Sequence, residues 1–313
     1  MTGHNAEASR TWAPGFAVDV RLTLKVMRRG AGDPTWLEPG DGTLIKGWQT
    51  PCGPVAVQLL APAAHPGMQL TARAWGPGRQ WILDRLPEVL GAQDDPSGFA
   101  PLHPVVAQAA RRFEAWRVPK TGLVLEALVP SIIEQLVTGV EAFGAYRRLV
   151  RRYGAPAPGP WGERGLRVAP QAQEWARIPS WGWLEAGVDA RRAETACGAV
   201  ARAGRVQECA DLPLPQARAR LLALRGVGRW TVAEVAHVAL GDADAVSFGD
   251  YHVAADMGWA LTGRPVDDDQ LEVLLRPYAP HRYRVQRLLE LAGHRRPRRG
   301  PRATIRSHTP TRR

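Results

Sequence analysis

Residues 221–253 read LLALRGVGRWTVAEVAHVALGDADAVSFGDYHV. Leu222, Leu224 and Val227 flank a compact turn, Arg225-Gly226-Val227-Gly228, and an amphipathic helix opens at Arg229 or Trp230. Two glycines let a backbone turn sharply and approach a ligand closely. The free N–H groups of such a turn, with those of the new helix's first turn, form an anion site that needs no side-chain charge. A nucleic-acid backbone can be held this way without its sequence being read. The plainer reading is a tight helix–helix turn with a glycine cap. Twenty residues after Trp230 stands Asp250, where an apolar extended run reaches Gly249 and a helical pattern follows. An aspartate there is a good N-cap. An acid at a helix mouth beside aromatic residues can also face a developing cation, and the two roles are compatible.

Outward from this stretch the pattern is helical from Pro104 onward. Val124, Leu125, Leu128, Val129, Ile132, Ile133, Leu136 and Val137 keep helical spacing and predict one helix over 124–140. A second is expected over 141–153, with Gly154 as its C′ residue and Arg147, Arg148, Arg151 and Arg152 on its outer face. The Pro/Gly-rich run 156–162 reads as a loop. Further helical patterns cover 181–186, 190–203, 216–224, 230–240, 251–261, 268–275 and 282–292, and Asp267-Asp268-Asp269 is placed to cap the sixth of these. Trp175, Trp181 and Trp183 around Pro179 are expected to pack together. Before residue 100 the segments are short and extended. Val18, Val20, Leu22 and Leu24 alternate with polar residues, the period of a half-buried strand. Asp41-Gly42 separates two more extended runs, and 55–60 and 70–75 supply another two. A helix over 80–90 contains Pro87, which should bend or shorten it. The expected fold is therefore mainly α, with an N-terminal α+β domain at 1–103 built on a small antiparallel sheet. Helical domains follow at 104–293, with the hairpin near 216–240, and a basic disordered tail at 294–313.

The 313 residues carry 41 Lys+Arg against 30 Asp+Glu. Eight of those arginines lie in residues 294–313, so the rest of the chain holds 33 basic and 30 acidic groups and is close to neutral. A short basic tail suits nucleic acid, an anionic surface or plain solubility. No apolar run approaches the ~18–20 residues of a membrane span, and residues 1–10 lack the apolar core of a secretory signal. Three scattered cysteines, Cys52, Cys197 and Cys209, give neither a disulfide framework nor a CxxC metal site. The histidines show no metal spacing. A cytoplasmic monomer is expected, with no membrane partner.

Leu224-Arg225-Gly226-Val227-Gly228-Arg229-Trp230-Thr231, with Asp250 at its distance, resembles the helix-hairpin-helix base-excision DNA glycosylases. Gly228-Arg229-Trp230-Thr231 and the twenty-residue step are most similar to the 3-methyladenine DNA glycosylase II (alkylbase glycosylase) branch. Gln135-Leu136-Val137 and the stretch 278–282 extend the likeness. The resemblance implies that Asp250 is the catalytic carboxylate and that Trp230 lines the base pocket. It implies that Gly226, Val227, Gly228, Arg229 and Thr231 lie at the DNA backbone. Gln135 and Leu136 would meet the duplex, Leu136 as the wedge that fills the place of the extruded base. Read on its own, Leu136 is as well explained as core, since Ile132 and Leu136 form an i,i+4 pair. The resemblance further implies a monovalent cation on the hairpin carbonyls of Leu222, Leu224 and Val227, no other cofactor, and damaged double-stranded DNA as partner. Bifunctional relatives carry a lysine where Trp230 stands, so strand cleavage through a Schiff base is not expected.

Where the branch carries further pocket aromatics, this chain has Glu234 and Glu290. Glu234 lies one turn after Trp230 on the same face. It reads either as a solvated helix residue or as a carboxylate bordering the pocket and attracting a cationic alkylpurine, an attraction limited by the cost of burying it. The expected activity is thus monofunctional excision of alkylated purines in base-excision repair. Two alternatives stay open: a glycosylase for another damaged purine (8-oxoguanine or hypoxanthine), and a non-catalytic DNA-binding protein using the same hairpin.

Overall fold

The computed structural model describes residues 6–60, 63–64 and 68–297. The N-terminal region runs β1 (Glu7–Trp12), β2 (Val18–Asp19), α1 (Val20–Leu24), β3 (Trp36–Leu37), β4 (Thr43–Thr50), β5 (Gly53–Leu60), β6 (Ala63–Ala64), β7 (Leu70–Trp75) and α2 (Arg79–Val89). Five strands form one antiparallel sheet in the order β1-β7-β5-β4-β3, and β2 pairs with β6. The Asp41-Gly42 turn closes as an Asx turn: Asp41 Oδ1 accepts from the Thr43 N–H at 2.9 Å and from its hydroxyl at 2.5 Å. Leu44, Trp48, Val55, Val57 and Leu59 face the main core, whereas Ile45, Ala56 and Trp75 pack on Trp161 and Leu166. Both sheet faces are therefore covered, which explains why β4 shows no clean alternation of apolar and polar residues.

Two expectations for this region change. The alternation from Val18 to Leu24 is a strand for only two residues before it becomes α1. Asp19 Oδ1 accepts from the Leu22 N–H at 2.9 Å, and Val20 and Leu24, both fully buried, share a helical face. Over so few residues an i, i+2, i+4 pattern satisfies either period, and the cap decides. Pro87 does not interrupt α2. It cannot donate to the Leu83 carbonyl one turn back, and Arg10 Nη1 from β1 donates to that oxygen instead, at 2.8 Å. β1 itself is a polar edge strand that hydrophobic patterning does not reveal.

The helical part comprises α3 (Pro104–Arg112), α4 (Val124–Ile133), α5 (Gly139–Tyr153), a short β8–β9 pair (Ala155–Pro156 and Arg167–Val168), α6 (Ala172–Arg177), α7 (Ser180–Glu185), α8 (Ala190–Val200), α9 (Ala203–Gln207), α10 (Leu214–Leu222), α11 (Arg229–Val235), α12 (Val253–Thr262), α13 (Asp268–Leu275) and α14 (Arg282–Leu291). α4 is apolar on all sides and packs against both α8 and α11. A continuous core runs from the sheet through α4, α8 and α11, and a second joins α3 to α12, α13 and α14. Ala245 belongs to the first and Val246 and Phe248 to the second, so the turn before Asp250 lies at the seam. A buried ion pair between Arg284 on α14 and Asp94 ties the seam to the N-terminal region.

The helix expected over 124–140 ends at Ile133. Residues 134–137 form a turn in which Leu136 has φ +58°, the one non-glycine with positive φ among the described residues. Thr138 and Glu141 then start α5 with a reciprocal capping box. Gly154 is not left-handed, with φ −77°; a side chain there would collide with the Val168 and Val150 carbonyls, so the residue serves close approach. Asp267 caps α13 as expected. Trp175 and Trp183 stack at 5.6 Å, while Trp181 is exposed beneath the Arg152 guanidinium. Of the expected tail, residues 294–297 are held to the body: the His294 N–H donates to the Leu289 carbonyl and the Arg296 N–H to Asp256. Residues 298–313 lie outside the described residues.

Candidate active site

α10, the turn at residues 223–228 and α11 form the helical hairpin. The Leu224 carbonyl accepts from the Val227 N–H at 3.0 Å, which closes the turn. Gly226 has φ +81°, and a Cβ on it would lie 2.3 Å from Thr195 Oγ1 of α8. Gly228, by contrast, has φ −108° and nothing within 4 Å of where its Cβ would be. Neither sterics nor backbone geometry requires glycine there, and the open space before the N–H groups of α11 suits a phosphate. Among the described residues the Leu222 and Val227 carbonyls accept no hydrogen bond, so two open oxygens and the Leu224 carbonyl are compatible with a monovalent cation. No group of three or more His, Cys, Asp or Glu able to hold a metal occurs among the described residues.

The turn after α4 is clamped onto this hairpin. Gln135 Nε2 donates to the Gly226 carbonyl at 3.0 Å and to Thr231 Oγ1 at 2.8 Å. Arg192 Nη1 from α8 donates to the Ile133 carbonyl at 2.6 Å. Directly after these anchors Leu136 stands 93% exposed.

Asp250 follows the seam turn. Its Oδ1 accepts from the His252 and Val253 N–H groups at 2.7 and 3.1 Å, and its Oδ2 has no hydrogen-bond partner among the described residues. It therefore caps α12 with one oxygen and leaves the other open. A methyl on Gly249 would lie 3.7 Å from Trp230 Cβ, so the turn into Asp250 passes close to the start of α11. Trp230 Nε1 is buried without a partner.

Behind Trp230 the site is polar. Glu234 Oε1 accepts from Ser247 Oγ at 2.6 Å, and its Oε2 is 3.7 Å from His237 Nε2. Ser247 Oγ accepts from Gln286 Nε2, which also donates to Glu290; Arg287 pairs with Glu290 at 3.0 Å. His237 is buried and stacks face to face on Tyr283 at 4.1 Å. From the opposite side Arg29, in the loop after α1, pairs with Glu134 at 2.8 Å. Burial pushes Glu234 up to about 8, aided by Glu134 and Glu290 and opposed by the Ser247 hydrogen bond and Arg29. Burial likewise raises Glu134, with Arg29 opposing and Asp250 adding to the rise. Burial drives His237 down to about 3, helped by Arg287. Burial thus favours the protonated carboxyl of Glu234 and the neutral imidazole of His237.

No protein-family model matches the sequence, and no curated protein matches it. Among solved structures, 3-methyladenine DNA-glycosylase from Archaeoglobus fulgidus superposes with a TM-score of 0.73 at 19% identity, covering 91% of this chain and 98% of that one. MBOgg1, solved with a low-affinity DNA ligand, gives 0.68 at 14% identity over 90% and 93% of the two chains. The 8-oxoguanine glycosylase/lyase of Clostridium acetobutylicum, solved with double-stranded DNA, gives 0.65 at 10% over 93% and 99%. The chain has the helix-hairpin-helix DNA glycosylase fold.

Within that fold the anticipated residues separate into two groups. Gln135 is bonded to Gly226 in the hairpin turn, and Ser247 links Glu234, through its hydroxyl, to Asp250, through its carbonyl. Thr231 is only 2% exposed, and its hydroxyl is occupied by Gln135; it supports the wedge turn and does not face outward. Val227 is likewise buried. Arg229 lies over the Phe248 ring at 4.5 Å and pairs with Glu272 at 2.9 Å, so its charge is already engaged. Glu290 sits at the rim, bonded to Gln286 and Arg287. Glu234 is not a freely solvated helix residue: its side chain is 22% exposed and hydrogen-bonded to Ser247, and burial raises its pKa, which works against an ionised carboxylate. Sequence reasoning missed Arg29, Glu134, Ser247, His237 and Tyr283 as parts of this site. Only His237 carried a signal, its i,i+3 spacing from Glu234.

Proposed function

We propose that this chain is a monofunctional DNA glycosylase that flips a damaged purine out of duplex DNA and hydrolyses its N-glycosidic bond, with alkylated purines as its first substrates. The observation that carries this reading is Asp250, whose one carboxylate oxygen is fixed by two backbone N–H groups while the other is open beside Trp230. Cleavage of the bond builds oxocarbenium character on the sugar. A preoriented carboxylate stabilises that charge and directs a water without reorganising. The hairpin grips the backbone next to the lesion, and Leu136 fills the stack that the base leaves. A monovalent cation on the Leu222, Leu224 and Val227 carbonyls would add positive charge behind the phosphate. An alkylated purine is already cationic and needs little help to depart. A lyase step would need an amine; Lys46 is buried in β4 on Thr35, Lys120 bonds Gln93, and Lys25 lies at the end of α1.

Asp250→Asn tests the assignment, because asparagine keeps the capping oxygen. Base release from methylated duplex DNA should fall at least a hundredfold, with duplex binding unchanged or slightly tighter through the loss of one repulsion with phosphate. Release above a tenth of the wild-type rate would remove Asp250 from the chemistry. A wild-type protein that binds duplex DNA and releases no base would favour the non-catalytic alternative.

A further inference from the structure

We infer that Glu234 is a general acid of this site and that it extends the substrate class from cationic alkylpurines to neutral damaged purines. The inference rests on the glycosylase reading above. A neutral purine leaves as an anion unless a proton reaches its ring nitrogen, whereas an alkylated cation leaves as a neutral base. A site restricted to cations therefore needs one carboxylate; a site for neutral purines needs an acid as well.

Two carboxyl groups stand here in opposite environments. Asp250 is partly buried and accepts two backbone N–H bonds on one oxygen, leaving the other without a partner among the described residues. Glu234 is set one turn after Trp230, its side chain 22% exposed, between α11 and α14. Of its charged neighbours, Arg29 is paired with Glu134 and Arg287 with Glu290. Arg29 favours the ionised form, Glu134 and Glu290 disfavour it, and burial outweighs them all. His237 on its own helix is buried and uncharged, and Tyr283 lies behind it. The value near 8 follows from this burial. An enclosed carboxyl group whose proton is favoured by burial is placed to act as the acid, beside a second carboxylate with one open oxygen. Geometry joins them: Ser247, whose hydroxyl holds Glu234, accepts the Asp250 N–H on its carbonyl at 3.1 Å. The buried, unpartnered Trp230 Nε1 leaves a donor in the same pocket.

In the step, the C1′–N9 bond breaks and its electron pair passes to the purine. The Glu234 proton moves to a purine ring nitrogen, so the base leaves neutral and Glu234 becomes a carboxylate. Water adds its oxygen to C1′ and gives a proton to Asp250. Exchange with solvent then returns both carboxyl groups to their starting states.

The test is single-turnover base release between pH 5.5 and 9 from duplexes carrying 3-methyladenine, hypoxanthine or 8-oxoguanine. Wild-type release of at least one neutral purine should decline above about pH 8, with no matching decline for 3-methyladenine. Glu234→Gln should lower neutral-purine release at least tenfold more than 3-methyladenine release, and abolish the alkaline decline. Ser247→Ala removes a hydrogen bond that favours the ionised form, so it should move the decline to higher pH. Equal losses on both lesion classes, or a decline that survives in Glu234→Gln or stays fixed in Ser247→Ala, would overturn the inference. Release of 3-methyladenine but of neither neutral purine would overturn it too, and leave the glycosylase reading standing. Release of no base at all would instead sink that reading.

Discussion

Leu136 shows how one residue's surroundings separate two meanings of the same letter. Its i,i+4 relation to Ile132 fits a core position, yet α4 stops at Ile133 and the side chain points into solvent at φ +58°. A left-handed leucine costs roughly 1–2 kcal/mol, and strain of that kind persists where neighbours over-determine it. Here Arg192 and Gln135 do so. Leu136→Ala should therefore change stability by no more than about 0.5 kcal/mol, as at other exposed sites, whereas a core leucine would lose ~2–5 kcal/mol. The same substitution should cut base release from duplex DNA at least tenfold and spare single-stranded substrate, where no stack needs filling. Thermal melts and single-turnover rates on the two substrates check both halves. A large loss of stability would return Leu136 to the core.

At the scale of the element, the hairpin's two glycines are not equivalent, although the sequence presents them alike. Gly226 answers to α8: its left-handed backbone and the 2.3 Å approach to Thr195 Oγ1 leave no room for a methyl. Gly226→Ala should cost about 2–4 kcal/mol, combining the backbone penalty with overpacking. Gly226→Ala with Thr195→Ala should recover the packing part, which a double-mutant cycle would measure. Gly228 answers to nothing in the chain. Gly228→Ala should stay within about 1 kcal/mol of the wild type while weakening duplex binding several-fold, because its methyl stands where the phosphate must come. Binding unchanged in Gly228→Ala would show that the hairpin does not hold DNA through this turn.

Over the whole molecule, the site is assembled from segments distant in sequence: Arg29 after α1, Glu134 after α4, Glu234 and His237 along α11 and its continuation, Ser247 and Asp250 at the seam, and α14. Their coupling should be visible in global stability. Glu234's folded pKa, about 8, lies above its ordinary 4.5, so the folded state binds a proton that the unfolded state releases. That stabilisation is complete below about pH 4.5 and is lost as pH rises towards 8, at up to about 1.4 kcal/mol per pH unit. Relative to Glu234→Gln, the wild type should therefore weaken steadily across this window. Melting curves for the two proteins that stay parallel from pH 5 to 8 would place Glu234 in water instead.

The sequence alone determined the class of fold and marked out the segments of the proposed site, because both rest on short-range rules. Helical spacing from Pro104 onward, turn residues among the early strands, and two glycines between helices all act within a few residues. Asp250 was legible at a fixed distance from Trp230 for the same reason. Where two local periods coincide, as at Val18–Leu24 and at Ile132–Leu136, spacing could not choose; a cap at Asp19 and a clamp from Arg192 chose. Protonation states were still less accessible. Glu234 is one glutamate on an amphipathic helix until α14, Arg29 and Glu134 close around it and remove its water. Burial and charge pairing are set by groups far apart in the chain, so only the tertiary structure decided that Glu234 is enclosed and held by Ser247 while Asp250 keeps one oxygen open.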